Sequence, residues 1–188
     1  KAGVALAAAA ATSALLVGSA ATRAAETLAA VNGLWEYTGL TASSGEEMPL
    51  TGIFFMADGR FLQQAIFNGE PFTEQGAMAH SGLYGAGSAD MRLLASHTLG
   101  MSPGADEPLS DSGVTTHDLT VTSADDALTI TFGSGTVQTL QRVGAGDDAR
   151  IYPIARGMFA FSDGYFLLVD GDGGSAVTGY GKYERSGD

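Results

Sequence analysis

From Asn32 onward, apolar and polar positions alternate over short runs of β-branched and aromatic residues, and Gly, Asp, Asn or Pro interrupts every run. A two-residue period belongs to strands with one buried face, and the interruptions have the chemistry of tight turns. The runs are Gly33–Leu40, Gly52–Ala57, Arg60–Asn68, Gly76–Tyr84, Asp90–Leu99, Thr115–Thr122, Ala127–Phe132 and Thr136–Val143, then Gly157–Ser162, Tyr165–Asp170 and Val177–Glu184. Their close spacing predicts neighbouring antiparallel strands in up-and-down order. Met101 to Gly113 is the longest connection; it carries two prolines and acidic side chains, and is expected to be a solvated loop or a lid at a barrel mouth.

Two stretches echo one another. Gly52-Ile-Phe-Phe-Met-Ala-Asp-Gly-Arg-Phe-Leu62 and Gly157-Met-Phe-Ala-Phe-Ser-Asp-Gly-Tyr-Phe-Leu167 share Gly, Phe, Asp-Gly and Phe-Leu at equal spacing. Asp58-Gly59 and Asp163-Gly164 suit two-residue turns that need positive φ at both central positions. That register places Met56 opposite Phe61, Phe54 opposite Gln63, Phe161 opposite Phe166 and Phe159 opposite Leu168, giving each hairpin a mostly apolar, aromatic face. The repeat reads as a structural solution used twice.

Composition fits this reading and narrows the function. Of 188 residues, 45% are hydrophobic, 16% are charged and 27 are glycine, which suits many short strands rather than helical bundles or disorder. The formal net charge of −12 is spread over apparent loop tips such as Asp106, Glu107, Asp125, Asp126, Asp147 and Asp148, with no basic stripe. Such a surface repels phosphate backbones and anionic headgroups, so nucleic acid is not an expected partner. The absence of cysteine excludes a disulfide framework, thiol catalysis and thiolate zinc sites.

The N-terminal stretch differs in kind. Ala2 to Ala21 is Ala-rich, carries Leu6, Leu15, Leu16 and Val17, and meets no charge until Arg23. Small residues at Ser19 and Ala21, or at Thr22 and Ala24, satisfy the small-x-small preference of signal peptidase. Residues 1–24 are therefore expected to be a signal peptide, which would make the protein periplasmic or secreted. The alternative is a retained N-terminal helix, either lying on the barrel or anchoring it to a membrane so that it faces the periplasm.

Gly33-Leu-Trp35, opening the first strand, resembles the Gly-x-Trp signature of lipocalins and of the shorter bacterial lipocalin-like domains. The hairpin Gly52-Ile-Phe-Phe-Met-Ala-Asp-Gly-Arg60 looks like the apolar Asp-Gly-Arg hairpin that follows in those domains. The resemblance covers about residues 31–143. It implies a closing strand whose arginine packs over Trp35, supplied by Arg142 or by Arg185, and an interior cavity for one small hydrophobic molecule. The expected fold is all-β: an antiparallel up-and-down lipocalin-like barrel of about 8–11 strands. A single domain would span 31–188, with 144–188 contributing further strands to a larger barrel or an added sheet beside an eight-stranded one.

Parity selects the candidate cavity wall. His80 shares a face with Met78, His97 with Met91, Leu93 and Leu99, and His117 with Leu119 and Val121. Three imidazoles on apolar faces either converge on a ligand or sit buried and hydrogen-bonded. Gln63 shares the parity of Phe54 and Phe61, and a lone polar group on an apolar wall is how a cavity orients a ligand. The expected wall is thus Phe54, Met56, Phe61, Gln63, Met78, His80, His97, His117, Phe159, Phe161 and Phe166, with Trp35, Arg142 and Arg185 as structural residues. Asp170-Gly-Asp-Gly-Gly-Ser175 has too few ligands for a calcium loop and reads as an acidic turn.

No triad spacing, nucleophile elbow, phosphate loop or zincin helix is present, so no catalytic residue, metal ligand or cofactor is assigned. The leading expectation is an exported binding protein holding a small hydrophobic ligand in the barrel. The alternatives are an accessory subunit of a membrane or extracellular assembly, with a protein partner, and a barrel cyclase or isomerase using an acid–base group such as His97 or His117.

Overall fold

A computed structural model describes residues 21–67, 70–104, 109–171, 175–184 and 186. Ten strands make the first sheet: β1 Gly33–Thr41, β2 Glu47–Met48, β3 Leu50–Ala57, β4 Arg60–Phe67, β5 Gly76–Ala86, β6 Met91–Met101, β7 Ser110–Asp111, β8 Thr115–Ala124, β9 Ala127–Phe132 and β10 Val137–Gly144. Pairing of β1 with β10 closes eight of them, all but the two-residue β2 and β7, into an antiparallel barrel in which each long strand lies beside its sequence neighbours. Closure removes the unpaired edges that an open sheet would present. Four more strands, β11 Arg150–Ile154, β12 Gly157–Ser162, β13 Tyr165–Asp170 and β14 Val177–Lys182, form a separate antiparallel sheet in chain order. The tail therefore adds a sheet beside the barrel and does not enlarge it.

The two echoed hairpins have the expected register, with Met56 opposite Phe61 and Phe161 opposite Phe166. Asp58 and Gly59, and likewise Asp163 and Gly164, all have positive φ. The glycines that open the two motifs have a shared reason as well. A Cβ on Gly52 would collide with the backbone of Gln64 and one on Gly157 with that of Val169, so each marks a point where the paired strands close in. Strand β11 has no counterpart in the sequence reading: it is short, contains Pro153, and lies on an edge where a missing N–H is tolerated.

Alternation divides the apolar residues between two cores. Trp35, Tyr37, Phe54, Met56, Phe61, Met91, Leu93, Leu119, Leu128, Ile130 and Leu140 fill the barrel interior. Their out-of-phase neighbours Leu34, Ile53, Phe55, Leu62, Ala79 and Leu99 pack outside the wall against Ala160, Leu167 and Val169 of the second sheet. Strands β3 and β4 are buried on both faces over most of their length: Ile53–Ala57 of β3 is a continuous apolar run, and β4 buries Gln63 and Gln64 among apolar neighbours. Thr178 Oγ1 donates to Gln64 Oε1 at 3.1 Å across the two sheets.

One end of the barrel is stoppered by a helix, α1, described over residues 21–31. Leu28 and Val31 enter the barrel core, and Arg23 reaches Asp90 at 3.0 Å. Trp35 Nε1 donates to Val31 O at 2.8 Å, while the Arg142 guanidinium lies 4.0 Å above the Trp35 ring. Arg142 also donates to Asn32 O at 2.6 Å and to Ala30 O at 2.9 Å. Three carbonyls at the helix end, which the helix itself cannot satisfy, are thus capped by groups from β1 and β10. Arg185, the other arginine considered for this position, and residues 1–20 of the expected export segment lie outside the described residues, and among those described no helix is long and apolar enough to cross a membrane.

Arg142→Ala removes two charge-assisted hydrogen bonds and a cation–π contact, and we expect it to lower the unfolding free energy by about 2–4 kcal/mol. Urea denaturation followed by the fluorescence of Trp35 measures it. Arg142→Lys should recover less than half of the loss, because a single ammonium does not fork to both carbonyls while lying flat on the indole. A loss within about 0.5 kcal/mol of zero, as for an ordinary surface substitution, would mean that the helix docks without this contact.

Candidate functional site

At the end opposite α1 the barrel is open. A cavity of about 410 Å³ lies there, lined by Leu40 at the end of β1, Met78 and His80 near the start of β5, Thr116, His117 and Asp118 of β8, Phe132 of β9, the turn residues Gly133, Ser134 and Thr136, and Gln138 of β10. Its size falls within the range of small-molecule sites, and Leu40, Met78 and Phe132 give it apolar walls.

The eleven residues expected to line a cavity divide into four groups. Met78, His80 and His117 line it. Gln63 lies against it, fully buried and bonded to His80. Phe54, Met56 and Phe61 point into the barrel but belong to its solid part: each is 0% exposed, and the Phe54 and Phe61 rings pack at 5.9 Å between centroids. They form the floor beneath the cavity, because side chains this large fill the stoppered half of an eight-stranded barrel.

The remaining four residues lie elsewhere. Phe159, Phe161 and Phe166 are in the second sheet, not the barrel, and on its face away from the barrel. There Phe161 meets Phe159, Tyr152 and Tyr183 at 4.5, 6.2 and 5.1 Å, and Phe166 lies 6.1 Å from Phe159. Their alternation partners Ala160, Leu167 and Val169 take the inward face instead. His97 is turned outward by a bulge: Ser81 pairs with His97 but Gly82 pairs with Ala95, so Ser96 is unpaired and the inward phase of Met91, Leu93 and Ala95 is broken there. Beyond the bulge His97 and Leu99 face the second sheet, where His97 Nδ1 donates to Asp111 Oδ2 at 2.7 Å.

Asp111 is thereby fixed within the long connection, much of which (105–108) lies outside the described residues. Burial opposes its charge, but donation from His97 and from the Thr98 and Gly113 amides outweighs burial and leaves its carboxyl below the usual range. The connection is tethered to the barrel wall at that point. Residues 172–174 of the acidic Gly-rich turn also lie outside the described residues. Among those described, no group of three metal-ligating side chains is present.

Two of the three histidines do come together. The rings of His80 and His117 lie 6.2 Å apart, and His117 stands edge-on to Phe132 at 5.5 Å. His80 ends a directed relay: Tyr37 Oη donates to Gln63 Oε1 at 2.6 Å, and Gln63 Nε2 donates to His80 Nδ1 at 2.5 Å. Because Nδ1 accepts, the proton of the neutral ring sits on Nε2. Burial, then the nearby His117, lower the His80 pKa to about 4, against a smaller opposing pull from Asp111. Burial also lowers that of His117 and raises that of the Tyr37 phenol. At neutral pH the site thus holds neutral imidazoles.

A second relay runs beside it. His117 Nε2 and Thr115 Oγ1 are 3.2 Å apart, and Thr115 Oγ1 and Thr98 Oγ1 are 2.8 Å apart. At the rim, Asp118 accepts twice from Arg92, at 2.9 and 3.0 Å. Gln138, which the sequence reading passed over, is 2% exposed, and its Oε1 has no hydrogen-bond partner among the described residues. Its parity with Leu140 and Arg142 on β10 is the signal that would have placed it inside. Leu40 was hidden for another reason: a bulge at Thr38, between the Tyr37 and Gly39 pairings with β10, shifts the phase of β1.

Folding places His80 in a site that disfavours its proton, so between pH 6.5 and about 4 the unfolded chain binds more protons than the folded one. Stability is full above pH 6.5 and falls as the pH drops through that window, by on the order of 3 kcal/mol for His80 alone. Thermal unfolding of the wild type and of His80→Gln at pH 7 and pH 4.5 should show a smaller pH-dependent drop for the variant; equal drops would mean that His80 is not held neutral. Comparison of the chain with protein-family models, with curated proteins and with solved structures finds no match.

Proposed function

We propose that this is a binding protein for one small, largely apolar molecule, seated in the open end of the barrel. The observation that carries the reading is the contrast between the two ends. One half of the interior is filled by side chains of 0–2% exposure, whereas the other keeps about 410 Å³ behind a mouth lined by Leu40, Met78 and Phe132. Burying a ligand against such walls is favourable by roughly 25 cal/mol per Å² of apolar area. A few fixed polar groups among apolar ones give orientation rather than catalysis. The resemblance to lipocalin-like domains in Gly33-Leu-Trp35 and in the Asp58-Gly59-Arg60 hairpin supports the same reading, as does the placement of Arg142 over Trp35.

The neutral fluorophore prodan tests it. We expect a single saturable site with a blue-shifted emission, and a loss of affinity of about tenfold or more in Met78→Trp, which fills the cavity from β5. The variant's melting temperature should stay close to that of the wild type, since Met78 borders a void. Prodan binding that is absent from the wild type, or unchanged in Met78→Trp, would overturn the assignment.

A further inference from the structure

We propose that the barrel mouth selects neutral apolar molecules ending in a hydroxyl, or in another group that both donates and accepts a hydrogen bond, and discriminates against the corresponding anionic acids. The inference deepens the binding reading above and rests on it. Four observations carry it.

The first is Gln138. Its carboxamide lines the cavity, is 2% exposed, and its Oε1 has no hydrogen-bond partner among the described residues. A buried carbonyl without a donor is unfavourable and stands ready for one. Backbone pairing of β10 with β1 and β9 on either side holds this residue in place, so its side chain stays within the barrel.

The second is the direction of the Tyr37–Gln63–His80 relay. The Tyr37 hydroxyl has spent its proton on Gln63 Oε1, which fixes the Gln63 amide with its N–H toward His80 Nδ1. The neutral imidazole is left with one proton, on Nε2, and His80 lines the cavity. Beside the more exposed hydroxyls of Thr116, Ser134 and Thr136, the site thus holds a buried acceptor without a donor, Gln138 Oε1, and a donor at His80 Nε2–H. A hydroxyl answers both, whereas an ether and a carboxylate can accept from His80 but have no proton to give Gln138 Oε1.

The third is charge. Among the described residues no lysine or arginine lines the cavity, and the one carboxylate that does, Asp118, is already held by Arg92 through two hydrogen bonds. An entering anion meets no free counter-charge and must shed its hydration without compensation. The chain's net charge of −12 adds long-range repulsion. The fourth is the apolar wall of Leu40, Met78 and Phe132, which suits an alkyl or aromatic body.

Decanol, decyl methyl ether and decanoate share a chain and differ at the head, so their competition with prodan at neutral pH isolates the selection. We expect decanol to bind about tenfold tighter than the ether, and decanoate to bind more weakly than either. In Gln138→Leu the acceptor is gone, and decanol should fall to the affinity of the ether while the ether holds or gains. The ligand series on the unmodified protein decides the matter even if that variant does not fold. If prodan and all three compounds fail to bind, the binding reading falls and this inference with it. If prodan binds but the three compounds compete within about twofold of one another, or decanoate competes best, the head-group selection alone is wrong.

Discussion

The barrel is held shut at one end by a guanidinium. Arg142, from the last barrel strand, lies flat on the indole of Trp35 in the first and forks to two carbonyls at the end of the helix between residues 21 and 31. Three elements that must meet for an eight-stranded barrel to close and be capped converge on this side chain. The arrangement suits arginine, whose planar cation stacks on an aromatic face while its edge donates in two directions. The helix carries Val31 and Leu28 into the interior, and the stoppered half is filled by the buried side chains of Phe54, Phe61, Met91 and Leu93. Among the described residues the open half has no such insert, and that asymmetry leaves a cavity where His80, His117 and Gln138 stand.

Alternation was legible wherever the strands are regular. The Asp-Gly turns, the register of both hairpins and the eight barrel strands follow from period and turn chemistry in the sequence alone. What alternation does not carry is the destination of a face. In β12 and β13 both phases are apolar, and nothing local says whether Phe159, Phe161 and Phe166 or Ala160, Leu167 and Val169 meet the neighbouring layer. The smaller set faces the barrel wall, so the more conspicuous aromatic residues lie on the other side. Parity also fails silently at bulges. One extra residue, Ser96, turns His97 from the interior to the outer wall, and another, Thr38, brings Leu40 into the cavity.

Gln138 shows a different limit. Alternation with Leu140 is enough to put Gln138 on the inner face of its strand, but it does not say whether the buried amide finds a partner there. Its meaning depends on three things assembled by the fold: a wall that excludes water, a cavity beside it, and the absence of a hydrogen-bond donor to it among the described residues. Gln63 is its counterpart in the same barrel, equally buried but with its amide engaged at both atoms. The two glutamines therefore do opposite things. Gln63 is consumed in setting the tautomer of His80, whereas Gln138 has an acceptor left over.

Their contrast explains why neutrality matters to the site. A histidine whose Nδ1 accepts from an amide gains nothing from a second proton, since Gln63 would then present N–H to N–H unless its amide turned over and gave up the proton donated by Tyr37. Burial and the nearness of His117 act in the same direction. Protonation of His80 would thus either break the Gln63–His80 bond or, with the Gln63 amide turned over to keep it, leave the proton of the buried Tyr37 hydroxyl with no other acceptor among the hydrogen bonds shown. Hydrogen-bond direction, fixed from Tyr37 outward, accordingly determines what the cavity presents: a donor from His80 beside an acceptor from Gln138, with no charge on either.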